Sequence, residues 1–302
     1  RAGREWTQRF MERCERPDLR CRGLLCIGMM TAFLGEWRRS TEVLARCVAA
    51  SEQLGDVKTR IRALGYAGVF RRWLGGSEEG WRLQDASLAL ARSLNDRETL
   101  TRALVLACCT CGGEFPGPPP FGAFEELRRL ADETGDCWSR AHAENGAGDL
   151  YTVLGNAARA KSAYERSIRL FAELDDRYMI GWNYEGLGRL ALRQGDAAEA
   201  ERATARSLAA FDSLGDELNV ALMLARLAYV VSQERAALSR AGRLAGAALT
   251  VFSRIREDEV AGAPQVVDAF EAIERVRHVD PTSFDDGRAL SRAEAVALAR
   301  GE

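Results

Sequence analysis

The sequence predicts an all-α protein: an α-solenoid of about six helix-turn-helix repeats with a C-terminal capping helical segment. Three columns of residues predict it. The triplets LGD (54–56), LND (94–96), TGD (134–136), LDD (174–176) and LGD (214–216) recur every 40 residues, so Asp56, Asp96, Asp136, Asp176 and Asp216 share one position of a period. Between them fall Gly35, Gly75, Gly155 and Gly195, with Phe115 where a fifth glycine belongs. The third column, Gly28, Gly68, Cys108, Gly148, Gly188 and Ala228, holds only small residues. A fixed period of this length marks stacked supersecondary units.

Each column has a physical cause. The intervals carry helical apolar spacing, as in Tyr164, Ile168, Phe171 and Leu174. Mid-period glycine suits the left-handed residue that ends a helix and opens a tight turn. The aspartate suits an N-cap for the next helix. A small residue inside the first helix lets its partner approach closely. Each unit therefore reads as helix A, turn, helix B, turn, and units of this kind bury their faces on their neighbours. The expected repeats are 17–56, 57–96, 97–136, 137–176, 177–216 and 217–256, within a solenoid domain 1–256. Residues 257–302 form the helical cap.

The third repeat departs from the pattern. The stretch ACCTCGGEFPGPPPFG (107–122) keeps the spacing of 40 between Asp96 and Asp136, so nothing is inserted. Gly112 and Gly113 are expected to end helix A early. Pro116, Pro118, Pro119 and Pro120 cannot enter a helix interior and replace the first turn of helix B, which resumes near Phe121–Glu125. This segment is expected to form an ordered dent beside Cys111 and Phe115. Cys108 is explained by packing, and Cys109 and Cys111 lack both a C-x-x-C partner and a nearby histidine, which argues against zinc.

Composition narrows the function. Hydrophobic residues make up 47% and charged residues 28%, ordinary for a chain that buries a core. A net charge of −2 gives no general attraction to nucleic acid or membrane, so recognition must come from local patches. No apolar run reaches the roughly 18 residues of a membrane span, and no signal-peptide pattern is present. The cytoplasm is the expected location. The chain begins at Arg1 rather than Met, as a part of something longer would. Cys14, Cys21, Cys26 and Cys47 sit among apolar residues in helix-like segments and read as small buried hydrophobes. No cofactor, metal or catalytic residue is expected. The two histidines cannot build a metal cage, and no nucleophile, base and orienting group share a suitable spacing.

The columns resemble the tetratricopeptide repeat family. In the fourth unit Gly148, Tyr151, Gly155, Ala160, Tyr164 and Ser167 follow the family's order of small, aromatic, turn-glycine, small, aromatic and small positions. The fifth repeats it with Gly188, Gly195, Ala200 and Ser207, although Ala191 and Thr204 replace the aromatics. The family unit is about 34 residues, so this longer one implies longer helices. The resemblance covers 17–256, with a degenerate sixth unit where Arg235 replaces the turn glycine. It implies a right-handed α-solenoid. The long form is similar to repeats in the C-terminal half of large bacterial ATP-dependent signalling regulators, which join an NTPase switch to a DNA-binding or other effector domain. The tail GRALSRAEAVALA (287–299) resembles the short helix that closes many such chains. No G-x-x-x-x-G-K-[ST] loop or helix-turn-helix reader is present. The resemblance therefore implies a sensor part, with NTPase or effector domains lying outside this chain.

The first helices of such repeats line a concave face that commonly binds partners. Six residues after each aspartate position stand Arg22, Arg62, Arg102, His142, Trp182 and Leu222. Arginines in a row can grip carboxylates or phosphates through paired hydrogen bonds. Nearby positions add Asn145, Asp149, Glu185 and Arg189. The expected partner-binding set is Arg22, Arg62, Arg102, His142, Asn145, Asp149, Trp182, Glu185 and Arg189. Plainer alternatives are a solvated arginine face, core packing for Trp182 and Tyr184, and salt bridges from Arg189 to Asp149 and Glu185. The function expected is a non-catalytic binding or sensor module for a protein or peptide, with a small ligand as a second class. A freestanding scaffold bridging proteins is the alternative. Membranes are excluded as partners, and nucleic acid is not expected to bind through this region.

Overall fold

At several helix junctions a single aspartate or asparagine serves the helix behind it and the helix ahead. After α3 (Trp37–Leu54), Gly55 turns left-handed at φ 68° and the Asp56 N–H returns to the Ser51 carbonyl at 2.9 Å. The Asp56 carboxylate then accepts from the Thr59 N–H at 3.1 Å, capping α4 (Val57–Trp73). The first event is a Schellman closure and the second an N-cap. Asp136, Asp176 and Asp216 close the preceding helix in the same way, at 3.0, 3.0 and 3.1 Å. All of the predicted aspartate column caps its helix: Asp96 on Thr99, Asp136 on Ser139, Asp176 on Met179 and Asp216 on Asn219.

In this computed structural model the described residues are 2–109, 121–255, 257–260 and 262–301. They are helical and follow one another as helix-turn-helix pairs. After α1 (Ala2–Arg13), the pairs are α2 (Pro17–Phe33) with α3, and α4 with α5 (Ser77–Ser93). Next come α6 (Arg97–Cys108) with α7 (Phe121–Thr134), and α8 (Cys137–Val153) with α9 (Ala157–Glu173). They are followed by α10 (Arg177–Gln194) with α11 (Ala197–Ser213), and α12 (Glu217–Val231) with α13 (Leu238–Phe252). The last helices are α14 (Glu257–Val260), α15 (Pro264–Val279), α16 (Pro281–Arg288) and α17 (Arg292–Arg300). The described residues form an all-α solenoid of helix-turn-helix repeats.

The mid-repeat glycines are left-handed as expected, with φ of 77° at Gly35, 86° at Gly75, 73° at Gly155 and 75° at Gly195. A second left-handed column precedes the aspartates and was not anticipated: Gly55, Gly135 and Gly215, with Asn95 at 50° and Asp175 at 51°. Asn156 and Asp196 cap the second helices of their repeats, again unanticipated.

The small-residue column is required by close approach. A Cβ on Gly68 would stand 2.6 Å from the Gly80 carbonyl oxygen, and one on Gly148 would stand 2.5 Å from the Tyr164 ring. Gly28 meets Leu44 at 2.7 Å and Gly188 meets Thr204 at 2.9 Å in the same sense. Cys108 and Ala228 fill the column fully buried.

The third repeat is shortened as the prolines imply. Helix α6 has 12 residues where α4 has 17, and α7 begins at Phe121. The helix stops at Cys108, ahead of Gly112 and Gly113. Those glycines, the four prolines and the expected dent beside Cys111 and Phe115 lie outside the described residues. In the sixth repeat a short 3-10 turn (Arg235–Ala237) stands where the turn glycine is missing.

The contacts divide the chain into two units. One is Arg1–Gly146 with Asp258–Ala263, and the other is Ala147–Glu257 with Pro264–Glu302. In the second unit the tail helices pack onto the last repeats. Arg240 donates to the Leu298 and Ala299 carbonyls at 3.1 and 2.9 Å, and Arg292 donates to Asp212 at 2.8 Å. Among the described residues no helix is long and apolar enough to cross a membrane.

Candidate functional site

The predicted residues fall in both units. In the first, successive A helices carry Arg22, Arg62 and Arg102, all exposed. Arg22 stands 4.0 Å from the Asp56 carboxylate. Neither Arg62 nor Arg102 forms an ion pair with any described residue. Both charges act on the half-buried Tyr66: burial pushes its phenol up, and the two guanidiniums pull it back. Arg102 also lies over the Trp138 ring, 5.0 Å from its centroid, and Trp138 meets the His142 ring edge-on at 4.3 Å. Such cation–aromatic contacts orient the guanidinium and leave its N–H donors available.

His142 carries no charge at neutral pH. Burial pushes its imidazole down to about 3, with Asp136 opposing and Arg102 reinforcing the shift. Asn145 is half-buried beside it on α8. This part of the surface offers two cations, two aromatic rings and a neutral imidazole.

The second unit treats the same residue types differently. Asp149 and Glu185 are buried, at 8% and 6% exposure. The Arg189 guanidinium donates to Asp149 Oδ1 at 2.6 Å, and its other arm lies 3.7 Å from Glu185 Oε2. The Tyr164 hydroxyl donates to the same Asp149 oxygen at 2.7 Å. Arg226 pairs with Glu185 Oε1. Burial alone would raise Glu185, but Arg189 and Arg226 outweigh it and hold the carboxyl below its usual range. Two carboxylates and two guanidiniums thus neutralise each other inside the packing, in the salt-bridge arrangement expected as the alternative for these residues. Trp182 is half-buried against Phe211 and Tyr178, with ring centroids at 5.5 and 6.2 Å. Tyr184 packs beside the Tyr164 cluster under Arg206.

Three participants escaped the sequence reading: Tyr66, Trp138 and Arg226. Tyr66 lies four residues after Arg62 and Trp138 four before His142, the spacing that puts side chains on one helix face. Arg226 is 41 residues from Glu185, so a search at the strict period passes over it. Among the described residues no group of three or more His, Cys, Asp or Glu could hold a metal.

A family model described as tetratricopeptide repeat matches residues 139–213. No curated protein matches the chain. Among solved structures, one similar to it is a Signal Transduction ATPase with Numerous Domains (STAND) protein with a tetratricopeptide repeat sensor, from Pyrococcus horikoshii. It matches at a TM-score of 0.57 and 12% identity, over 97% of this chain and 43% of that one. The chain therefore spans less than half the length of that protein. BtubC (BKLC) from P. vanneervenii matches at a TM-score of 0.48 and 16% identity, over 82% of this chain and 92% of its own.

Proposed function

We propose that this tetratricopeptide-repeat protein, matched to its family over residues 139–213, is a non-catalytic binding module that grips an anionic protein or peptide segment. The observation that carries the reading is the pair Arg62 and Arg102. Both are exposed, both are free of ion pairs among the described residues, and both act on Tyr66. An exposed guanidinium keeps its forked donors for a carboxylate or phosphate, and the aromatic rings beside it add sequence-tolerant contact area.

The favoured setting is a sensor within a larger cytoplasmic bacterial regulator of signalling or transcription. The likeness to the STAND protein is one of fold, and the sensor named in that protein's description supports this setting. In it, a partner that binds one arrangement of the repeats better than another would bias a switch elsewhere in the same polypeptide.

The test uses an oligoglutamate peptide as the probe and calorimetry as the readout. Replacing Arg62 and Arg102 together by Glu is expected to weaken binding by at least about tenfold, given the worth of a hydrogen bond to a charged group. Added salt should weaken the wild-type complex, because both arginines are exposed. Unchanged affinity in the double variant, with an intact helical spectrum, overturns the assignment of this surface.

A further inference from the structure

In the first repeat two cysteines occupy a position pair that is a point of helix–helix contact elsewhere. Ser87 on α5 donates to the Ile61 carbonyl at 2.8 Å, and Ser207 on α11 donates to the Gly181 carbonyl at 2.9 Å, each across 26 positions. Short side chains reach the opposite backbone there, so the two main chains run close together. At the same separation in the first repeat stand Cys21 on α2 and Cys47 on α3. Their contacts are reciprocal: the Cys21 thiol donates to the Cys47 carbonyl at 3.8 Å, and the Cys47 thiol donates to the Cys21 carbonyl at 3.4 Å. The two residues are 1% and 0% exposed.

We propose that Cys21 and Cys47 are a dithiol–disulfide site that staples α2 to α3 when a small-molecule disulfide of the glutathione class oxidises them. A bridge needs Cα atoms within about 7 Å and side chains that point at each other. Reciprocal thiol-to-carbonyl contacts across a close helix pair set each thiol against the other cysteine's backbone, the proximity a bridge requires. Cys26 is exposed and Cys14 half-buried, and Cys14 reaches only the Arg16 carbonyl within its own loop.

The reaction balances without a further oxidant. After its proton passes to solvent, the Cys21 thiolate attacks one sulfur of the small disulfide and expels a small thiolate, leaving a mixed disulfide. The Cys47 thiol then gives its proton to solvent, and its thiolate attacks the Cys21 sulfur and expels the second small thiolate; the two expelled thiolates take up the two protons released. Two protein thiols are oxidised and one small disulfide is reduced to two thiols.

Local opening gates the first step. Burial raises both thiols, Cys47 to about 12, so neither is a thiolate in the closed pair. Cys21 lies in the second turn of α2, which starts at Pro17 after an Arg16 that makes no side-chain cap. The preceding helix, α1, buries none of its residues. Opening of the α2 N-terminus is thus the route by which Cys21 meets solvent.

The test incubates the intact chain, carrying Cys26→Ser to remove an exposed thiol, with oxidised glutathione in buffer and in sub-denaturing urea. Quenching by alkylation and mass mapping follows. The expected product is lighter by about 2 Da, has lost two alkylatable thiols, and yields a linked peptide pair containing Cys21 and Cys47. Urea should speed its formation, and reductant should reverse both the link and the accompanying rise in unfolding midpoint. Adding Cys47→Ala should leave only a glutathione adduct at Cys21. Recovery of both cysteines alkylated after urea treatment, or links confined to other cysteines, overturns the proposal.

Discussion

The two units are built from repeats of one period and both are rich in arginine, yet two arginines of the first and two of the second have opposite fates. In the first, Arg62 and Arg102 stand exposed with no carboxylate partner among the described residues. In the second, Arg189 and Arg226 close on Asp149 and Glu185, at 2.6 Å for the Arg189–Asp149 pair, within the packing. Residue type therefore says little about availability. What separates a cation that can meet a partner from one that holds helices together is whether the adjacent repeat supplies a carboxylate at the same level. The first kind contributes little to folding and leaves its donors free. The second is committed to the fold.

The largest expected effect would break this contrast at its buried end. Replacing Arg189 by Met leaves Asp149 without its cation and Glu185 with one fewer, at a cost of about 3–5 kcal/mol. Replacing Arg62 by Met should change stability by no more than about 0.5 kcal/mol. Urea unfolding of both variants measures the difference, and similar losses would erase the distinction.

Acid should separate the units next. The unfolded His142 takes up a proton near pH 6.5, while the folded imidazole resists it down to about 3. The unfolded chain therefore binds more protons in that window, and stability falls as pH drops below 6.5, by about 1.4 kcal/mol per unit. Glu185 is held below its ordinary 4.5, so its contribution is present above that value and is lost only at lower pH. A His142→Gln chain should have a flat stability profile from pH 6.5 to the carboxylate range and keep the acid loss below it. A wild-type profile in that variant would remove the histidine from the account.

Smaller still is the cap. Asp56→Ala and Asp176→Ala should each cost about 1 kcal/mol by denaturant unfolding. Equal losses would show that the junctions of the two units are equivalent even though their arginines are not.

The fold was legible because the backbone permits few alternatives at certain positions. A left-handed residue favours glycine, a helix start favours aspartate, and Tyr164 against Gly148 leaves no room for a Cβ. The second left-handed column went unread because glycine shares it with Asn95 and Asp175, which tolerate that conformation when a short polar side chain bonds locally. The candidate site was half legible. A column of arginines is visible in one dimension, but their partners are set by neighbouring helices. The Glu185–Arg226 pair lies one residue off the period, and Tyr66 enters from the next turn. Burial then decides what each group does: the periodic position of His142 gives no sign that its imidazole is held neutral.

The junction aspartates have a mechanical consequence. The main-chain N–H of Asp176 ends α9 on the Phe171 carbonyl, and its carboxylate starts α10 on the Met179 N–H. No free residue lies between those two duties to absorb a displacement. A rotation imposed on one helix meets the next at a joint whose two hydrogen bonds share one residue, so the joint behaves as a stiff coupling rather than a slack tether. In an array whose energetics run from neighbour to neighbour, such joints turn a local push into a relayed one.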